Sequence, residues 1–203
     1  MYKLVFAITG ASAQPLAERA LELLLNNNID LHLIISKGAY EVWSSELKVT
    51  LPIDPIKQAE FFRKRINTNK GSLTCYKWND NAASIASGSV KTDGMVILPC
   101  TMGTIGRITN CFSLNLIERC ADVHLKERRK LVISPRESPF NIIHLRNMLS
   151  LAEAGADIVP CIPAWYGKPT SLEDMVDFMV VRLFDSFNLN LKPITRWKDS
   201  NYE

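Results

Sequence analysis

At 203 residues, 47% of them hydrophobic, the chain has the length and composition of one globular domain with a sizeable core. Its 24 Lys and Arg against 21 Asp and Glu leave a net charge of +3, too mild for a nucleic-acid surface without a concentrated basic stripe. No uninterrupted apolar run reaches the roughly 18 residues of a membrane span, and the five cysteines, odd in number and without C-x-x-C spacing, read as reduced core residues rather than a disulfide frame or zinc site. The first strand is entered by Lys3, so no leader peptide is expected, and a cytoplasmic protein without nucleic-acid or membrane partners is the expectation.

LVFAIT, Leu4 to Thr9, is apolar or β-branched without alternation, the pattern of a parallel strand covered on both faces. Gly10 then allows a tight turn, and Ser12 supplies a hydroxyl where a helix should begin. Backbone N–H groups at such a start favour a phosphate. Pro15 fits the first helical turn, and Leu16, Ala17, Ala20, Leu21, Leu24 and Leu25 recur at helical spacing up to Asn26-Asn27-Asn28. Leu31 to Ser36 predicts the second strand, and Ser36-Lys37-Gly38 a second strand-to-helix turn, with a helix through about Glu46. A helix near Lys57 to Arg65 and a strand from Leu73 to Trp78 follow, then the small hydroxyl loop Ala86-Ser87-Gly88-Ser89.

GMVILPC, Gly94 to Cys100, is the clearest buried strand, and it runs into a third donor-rich turn, Thr101-Met102-Gly103-Thr104. Two helical pieces come next, the second marked by Leu114, Leu116, Ile117, Cys120, Ala121 and Leu125. KLVISP, Lys130 to Pro135, is another strand and ends in Arg136-Glu137-Ser138-Pro139. A helix from about Phe140 to Ala154, a short strand from Ala156 to Val159, an irregular loop and a closing helix from Leu172 to Phe187 complete the chain.

Strands alternating with helices predict an α/β fold: a single-domain Rossmann-like (flavodoxin-like) parallel sheet flanked by helices, spanning 1–203. In such folds ligands sit at the carboxyl ends of the strands, where Ser12, Ser36, Thr101 and Arg136 share one rim. Each turn alone also reads as a helix cap. Their coincidence points to a mononucleotide such as FMN, since neither G-x-x-x-x-G-K-[ST] nor G-x-G-x-x-G is present. The histidines, His32, His124 and His144, lie within strand or helix patterns, and no metal-ligand spacing appears. Glu46, Arg119, Lys126, Arg136, Glu137, Tyr166 and Arg182 remain for chemistry. Two carboxylates among cations and a phenol suit a second anionic ligand with proton transfer nearby, and each alone also reads as solvated surface charge.

Six blocks of sequence, GASA at Gly10 to Ala13, SGS at Ser87 to Ser89, VILPCTMGT from Val96 to Thr104, NLIERCADVHLKERR from Asn115 to Arg129, PRESPF from Pro135 to Phe140 and PAWY from Pro163 to Tyr166, together resemble the flavin prenyltransferase (UbiX) family. The likeness runs from about Lys3 to Trp197. It implies a flavoprotein assembled as a homododecamer, with sites at subunit interfaces and the C-terminal helix and tail, about 171–203, packed at such an interface. It also implies an activity without a metal: transfer of the dimethylallyl group of dimethylallyl phosphate to N5 and C6 of reduced FMN. The prenylated FMN then serves a UbiD-type decarboxylase, in ubiquinone or other prenylquinone biosynthesis.

By resemblance, Gly10, Ala11, Ser12, Ser36, Thr101, Met102, Gly103, Thr104 and Arg136 hold FMN, and Ser87, Arg119, Lys126, Tyr166 and Arg182 bind the dimethylallyl phosphate. Glu46 and Glu137 match acidic site residues suited to proton transfer, with Ser12 as a relay, and Trp165 and Trp197 match aromatic walls. One departure stands out, because the family's turn is GASG and position 13 here is alanine, followed by Gln14 and Pro15. If the family's glycine serves backbone geometry, Ala13 is strained; if it serves packing, little changes, and the milder outcome is expected. Two other readings stay open: an FMN-binding protein without transfer activity, and a flavin-dependent decarboxylase of related fold. The latter type, in its family, uses a histidine after the first turn and a P-x-M-N segment, both missing here.

Overall fold

The structure, a computed structural model, describes residues 1–189 and 191. Its centre is a parallel sheet of β1 (Lys3–Ile8), β2 (Asp30–Ile35), β3 (Ser72–Tyr76), β4 (Gly94–Cys100), β5 (Lys130–Pro135) and β6 (Asp157–Ile158), in the order β3-β2-β1-β4-β5-β6. The helices are α1 (Gln14–Asn26), α2 (Lys37–Leu47), α3 (Pro55–Ile66), α4 (Met102–Thr109), α5 (Leu116–Lys126), α6 (Ile142–Glu153) and α7 (Leu172–Asp185). These are the expected elements, displaced by a residue or two at their ends.

Side chains alternate across each strand, and both faces of the sheet are covered. Leu4, Phe6, Ile8, Leu31, Leu33, Ile35, Val96 and Leu98 pack under α1, α2, α3 and α7. Val5, Ala7, Ile34, Met95, Ile97, Leu131 and Ile133 pack under α4, α5 and α6. The five residues Leu4 to Ile8 are fully buried, which explains why β1 reads as an unbroken apolar run. Burial of each large side chain is worth about 2 kcal/mol, and this holds the strand ends rigid for the turns that follow.

The helix covers are unequal. In α7, Val180, Val181, Leu183 and Phe184 are buried against the chain's own core. In α6 only Leu151 is buried, while Ile142, Ile143, Leu145 and Leu149 are exposed beside Phe140. A run of large exposed apolar side chains of this kind is typical of an association surface.

Candidate functional site

β1 lies between β2 and β4, and the connections leaving β1 and β4 cross to opposite faces of the sheet. A crevice therefore opens at the carboxyl ends of these two strands. Thr9 ties its walls together. Its hydroxyl donates to the Pro99 carbonyl at 2.7 Å and accepts the Thr101 N–H at 2.9 Å. The turn after β1 also rests on the start of α2, where a Cβ added to Gly10 would lie 2.9 Å from the Gly38 carbonyl carbon. Glycine is required here for close approach, not for a special φ.

α1 does not begin as expected. Ser12 is not its cap. The cap is Ala13, at φ 91° and ψ 32°, and it has no side-chain hydrogen bond of its own. Glu46, reaching over from α2, does this work: its carboxylate accepts the Ala13 N–H at 3.1 Å and the Gln14 N–H at 2.8 Å. A carboxylate is well suited to a helix N-terminus, where unpaired N–H groups and the helix dipole meet. The left-handed backbone at Ala13 answers the open question about the family's glycine, since position 13 uses the region in which glycine is at ease.

The N-termini of α2 and α4 are more open. Ser36 at the start of α2 makes no side-chain cap bond, and Lys37 and Gly38 are exposed, leaving first-turn amides to an incoming anion. In α4 the Thr101 hydroxyl accepts the Thr104 N–H at 3.1 Å and donates to the Thr104 hydroxyl at 2.9 Å. What this turn offers outward is the backbone around exposed Gly103, over buried Met102 and Thr104. Arg136 is exposed just past β5, its backbone N–H held 3.2 Å from the Cys100 carbonyl. No carboxylate pairs with its guanidinium among the described residues. Glu137 beside it is exposed and accepts the Ser138 N–H at 3.0 Å. Open amides, a half-buried Ser12 and an unpaired guanidinium at a switch-point crevice fit a phosphorylated, polyhydroxylated group such as FMN.

Ser87, Arg119 and Lys126 form a second, separate cluster. Arg119 Nε donates to the Ala86 carbonyl at 3.1 Å and the guanidinium pairs with Asp122 at 2.9 Å. Lys126 pairs with Glu127 at 2.7 Å, and a Cβ on Gly88 would lie 3.1 Å from the Lys126 Nζ. Ser87 and Ser89 share a hydroxyl hydrogen bond of 2.8 Å in the same loop. Residues 90–93 lead from this loop to the amino end of β4, where the Asp93 N–H donates to the Lys3 carbonyl at 2.8 Å. Lys126 and the Ser87–Ser89 loop therefore lie toward the opposite end of the sheet from the Gly10 turn, separated from it by the seven residues of β4, or about 20 Å of strand, while Arg119, near the start of α5, stands about two helical turns nearer the rim.

Tyr166 stands edge-on to Phe178 of α7, with centroids 5.5 Å apart, and Arg182 pairs with Asp185 on the exposed side of that helix. Trp165 is exposed, and Trp197 lies outside the described residues. The expected site residues thus divide into a rim group, the second cluster and the pair on or against α7. Burial pushes the Cys75 and Cys120 thiols up to about 12, and raises Cys100 and Cys161 as well, so none of these four serves as a thiolate nucleophile near neutral pH.

Comparison with known proteins shows the family. Residues 1–184 match the family model described as Flavoprotein. The chain is 45% identical over 196 residues to the flavin prenyltransferase UbiX of Synechocystis sp., covering 96% of this chain and 95% of the relative. The chain belongs to the flavin prenyltransferase (UbiX) family. Among solved structures, AnUbiX in complex with FMN and dimethylallyl pyrophosphate superposes with a TM-score of 0.84 at 38% identity, over 97% of this chain and 99% of that one. A dodecameric FMN-dependent UbiX-like decarboxylase from Escherichia coli O157:H7 gives 0.85 at 37% identity, over 97% of this chain and 100% of that one.

Within this UbiX-family chain, sequence reasoning missed Thr9, Gly38 and Gln14 as parts of the rim. Gln14 carried one signal, an uncharged polar residue at the start of an apolar helix. It is completely buried.

Proposed function

We propose that this protein is a flavin prenyltransferase, moving the dimethylallyl group of dimethylallyl phosphate onto N5 and C6 of reduced FMN. The observation that carries this reading is the pairing of two cationic and hydroxyl-bearing groups in one chain: open amides and Arg136 on the rim, and Arg119, Lys126 and Ser87 in the second cluster, whose Lys126 lies at the amino end. FMN and an allylic phosphate ester require both. Because Lys126 lies at the opposite end of the sheet from Arg136, the second group is supplied by another copy of the chain. The exposed apolar face of α6 and the dodecameric relative support such an assembly, with the chain folding as one domain whose C-terminal helix and tail contribute to it.

Bound reduced FMN supplies the nucleophilic nitrogen and carbon. The Gly10–Ser12 turn, Ser36, the Thr101–Thr104 turn and Arg136 hold it. Lys126, Arg119 and Arg182 offset the phosphate charge, and the Ser87 and Tyr166 hydroxyls donate hydrogen bonds to it, as the allylic C–O bond breaks and negative charge gathers on the leaving oxygen. Trp165 and Trp197 wall off water from the allyl group. Glu46, which also holds the turn, together with Glu137, Ser12 and the released phosphate, takes up and relays the proton that ring closure sets free. We assign the protein to the cytoplasm, where unpaired cysteines and a reduced flavin both persist, and a UbiD-type decarboxylase as the recipient of the product.

A flavin-dependent decarboxylase is the weaker reading, because no histidine directly follows the Gly10 turn and each has a structural partner: His32 faces Tyr76, His124 faces Thr92, and His144 caps α6. The deciding experiment is anaerobic incubation with reduced FMN and either dimethylallyl phosphate or the pyrophosphate. The flavin mass should rise by one prenyl unit. Folded, flavin-bound protein that leaves the mass unchanged with both donors would be a carrier and not a transferase.

A further inference from the structure

We infer that Gln14 is a positioning residue that aims the flavin-side turn, doing with hydrogen bonds what a glycine at position 13 does with backbone freedom. The inference rests on the reading of this rim as the FMN site.

Ala13 at φ 91° occupies a region that costs an L-residue about 1–2 kcal/mol, and such a backbone persists only where its surroundings over-determine it. Glu46 holds the amide side of the turn, and Gln14 holds its carbonyl side. Its side-chain Nε2 donates to the Thr9 carbonyl at 3.0 Å and to the Ala11 carbonyl at 2.7 Å, spanning the turn from its far side. Two carbonyl acceptors require the NH2 group, which fixes the amide orientation and strands Oε1 without a partner in a fully buried side chain. An orphaned acceptor of this kind costs about 1–3 kcal/mol, and a leucine of similar size would avoid it. The amide therefore serves its two carbonyls.

The consequence lies on the other side of each peptide. In a trans peptide the C=O of one residue and the N–H of the next point in opposite directions. With the Thr9 and Ala11 carbonyls turned inward to Gln14, the N–H groups of Gly10 and Ser12 turn outward. Neither N–H has a hydrogen-bond partner among the described residues. Gln14 thus presents two backbone donors to an electron-rich ligand, and keeps two carbonyl oxygens from facing it.

The test compares the parent with Gln14→Leu, Ala13→Gly and the double variant. FMN affinity is read by fluorescence quenching, and hydrogen–deuterium exchange of residues 9–16 is read without ligand. Gln14→Leu should weaken FMN binding about tenfold and speed exchange at the Gln14 and Leu16 amides. Adding Ala13→Gly should recover most of both losses, because glycine reaches the same turn unaided. A purely structural role would lower the melting temperature while leaving the affinity of the folded protein within about twofold, and that result overturns the inference, as does failure of Ala13→Gly to rescue. If the parent itself does not bind FMN, the reading of the rim falls, and exchange alone decides: unchanged protection in Gln14→Leu overturns the positioning role, and lost protection restored by Ala13→Gly upholds it.

Discussion

Gly10 and Gly38 meet backbone to backbone, and the contact is one-sided: a Cβ on Gly10 would lie 2.9 Å from the Gly38 carbonyl carbon, whereas one on Gly38 comes no nearer than 3.8 Å to Gly10. In the close approach of these two neighbouring turns, position 10 is therefore the one with no room for a side chain. Gly10→Ala should cost about 1–3 kcal/mol of stability by overpacking and should displace both turns. Gly38→Ala, in the first turn of α2, should melt at or above the parent temperature, since alanine is the better helix former. Equal melting temperatures for the two variants would show that the contact relaxes freely.

Arg107 and Glu118 are the polar link between α4 and α5. Glu118 is completely buried and accepts from Arg107, from the Leu114 N–H at 2.9 Å and from Asn115 at 2.8 Å. Arg107 keeps part of its side chain in water. Removing the arginine leaves a buried carboxylate facing neutral donors, whereas removing the charge of Glu118 leaves a cation that water can reach. Arg107→Met should therefore destabilise by about 3 kcal/mol or more, and Glu118→Gln by about half as much. Urea unfolding midpoints ranked the other way would refute this asymmetry.

The strands and the rim were legible in the sequence because burial and turn chemistry are local signals. An unbroken run such as Leu4 to Thr9 requires cover on both faces, and small or hydroxyl residues after it require a turn. What stayed hidden depends on contacts between distant residues. Glu46 reads as a site acid, and only the folding of α2 beside α1 reveals that its carboxylate also meets the amides of Ala13 and Gln14. Lys126 is different: it stands just before β5, and the return of the chain to a parallel strand already places it at the amino end of the sheet. Ser87 joins it only through the approach of Gly88 to the Lys126 Nζ, a contact between distant residues that no local pattern announces.

His32 and His124 make stability depend on pH. Burial pushes both below the ordinary value of 6.5, although the Cys120 carbonyl, 2.7 Å from His124 Nδ1, and the Gly94 backbone oppose the shift at His124; His32 Nδ1 meets the Tyr76 hydroxyl at 2.8 Å and His124 Nε2 meets Thr92 at 2.9 Å. Asp30 opposes the shift at His32, while Lys3 adds to it at His32 and Arg129 adds to it at His124. The unfolded chain takes up protons at pH 6.5 while the folded chain still refuses them, so stability is full above 6.5 and falls as pH drops toward the folded values. Each histidine contributes a slope of at most about 1.4 kcal/mol per pH unit. The lowered carboxyls of Glu127 and Asp174 act at more acid pH, outside this window. Denaturation midpoints should fall between pH 7.5 and 5.5 and flatten in His32→Asn/His124→Asn; a parent midpoint that does not move contradicts the assignment.

The distance between Lys126 and Arg136 gives the strongest test of how the site is assembled. Arg136 is exposed at the carboxyl end of β5, and Lys126 lies before its amino end, so one chain cannot place both cations on the same small ligand pair. Lys126→Ala and Arg136→Ala should each abolish prenyl transfer, the first by weakening capture of the allylic phosphate and the second by weakening FMN. When the two variants are co-expressed with different tags and mixed assemblies are isolated, some interfaces pair an intact Arg136 from one chain with an intact Lys126 from its neighbour. Random mixing supplies roughly a quarter of interfaces with both, so activity should return to about that share of the parent. Were both residues to act within a single chain, no mixture could contain a complete site, and the mixed assemblies would be as inactive as either variant alone. Ile143→Glu on the exposed face of α6 adds the matching control. If it splits the assembly into folded single chains, those chains should still bind FMN through the rim but transfer nothing.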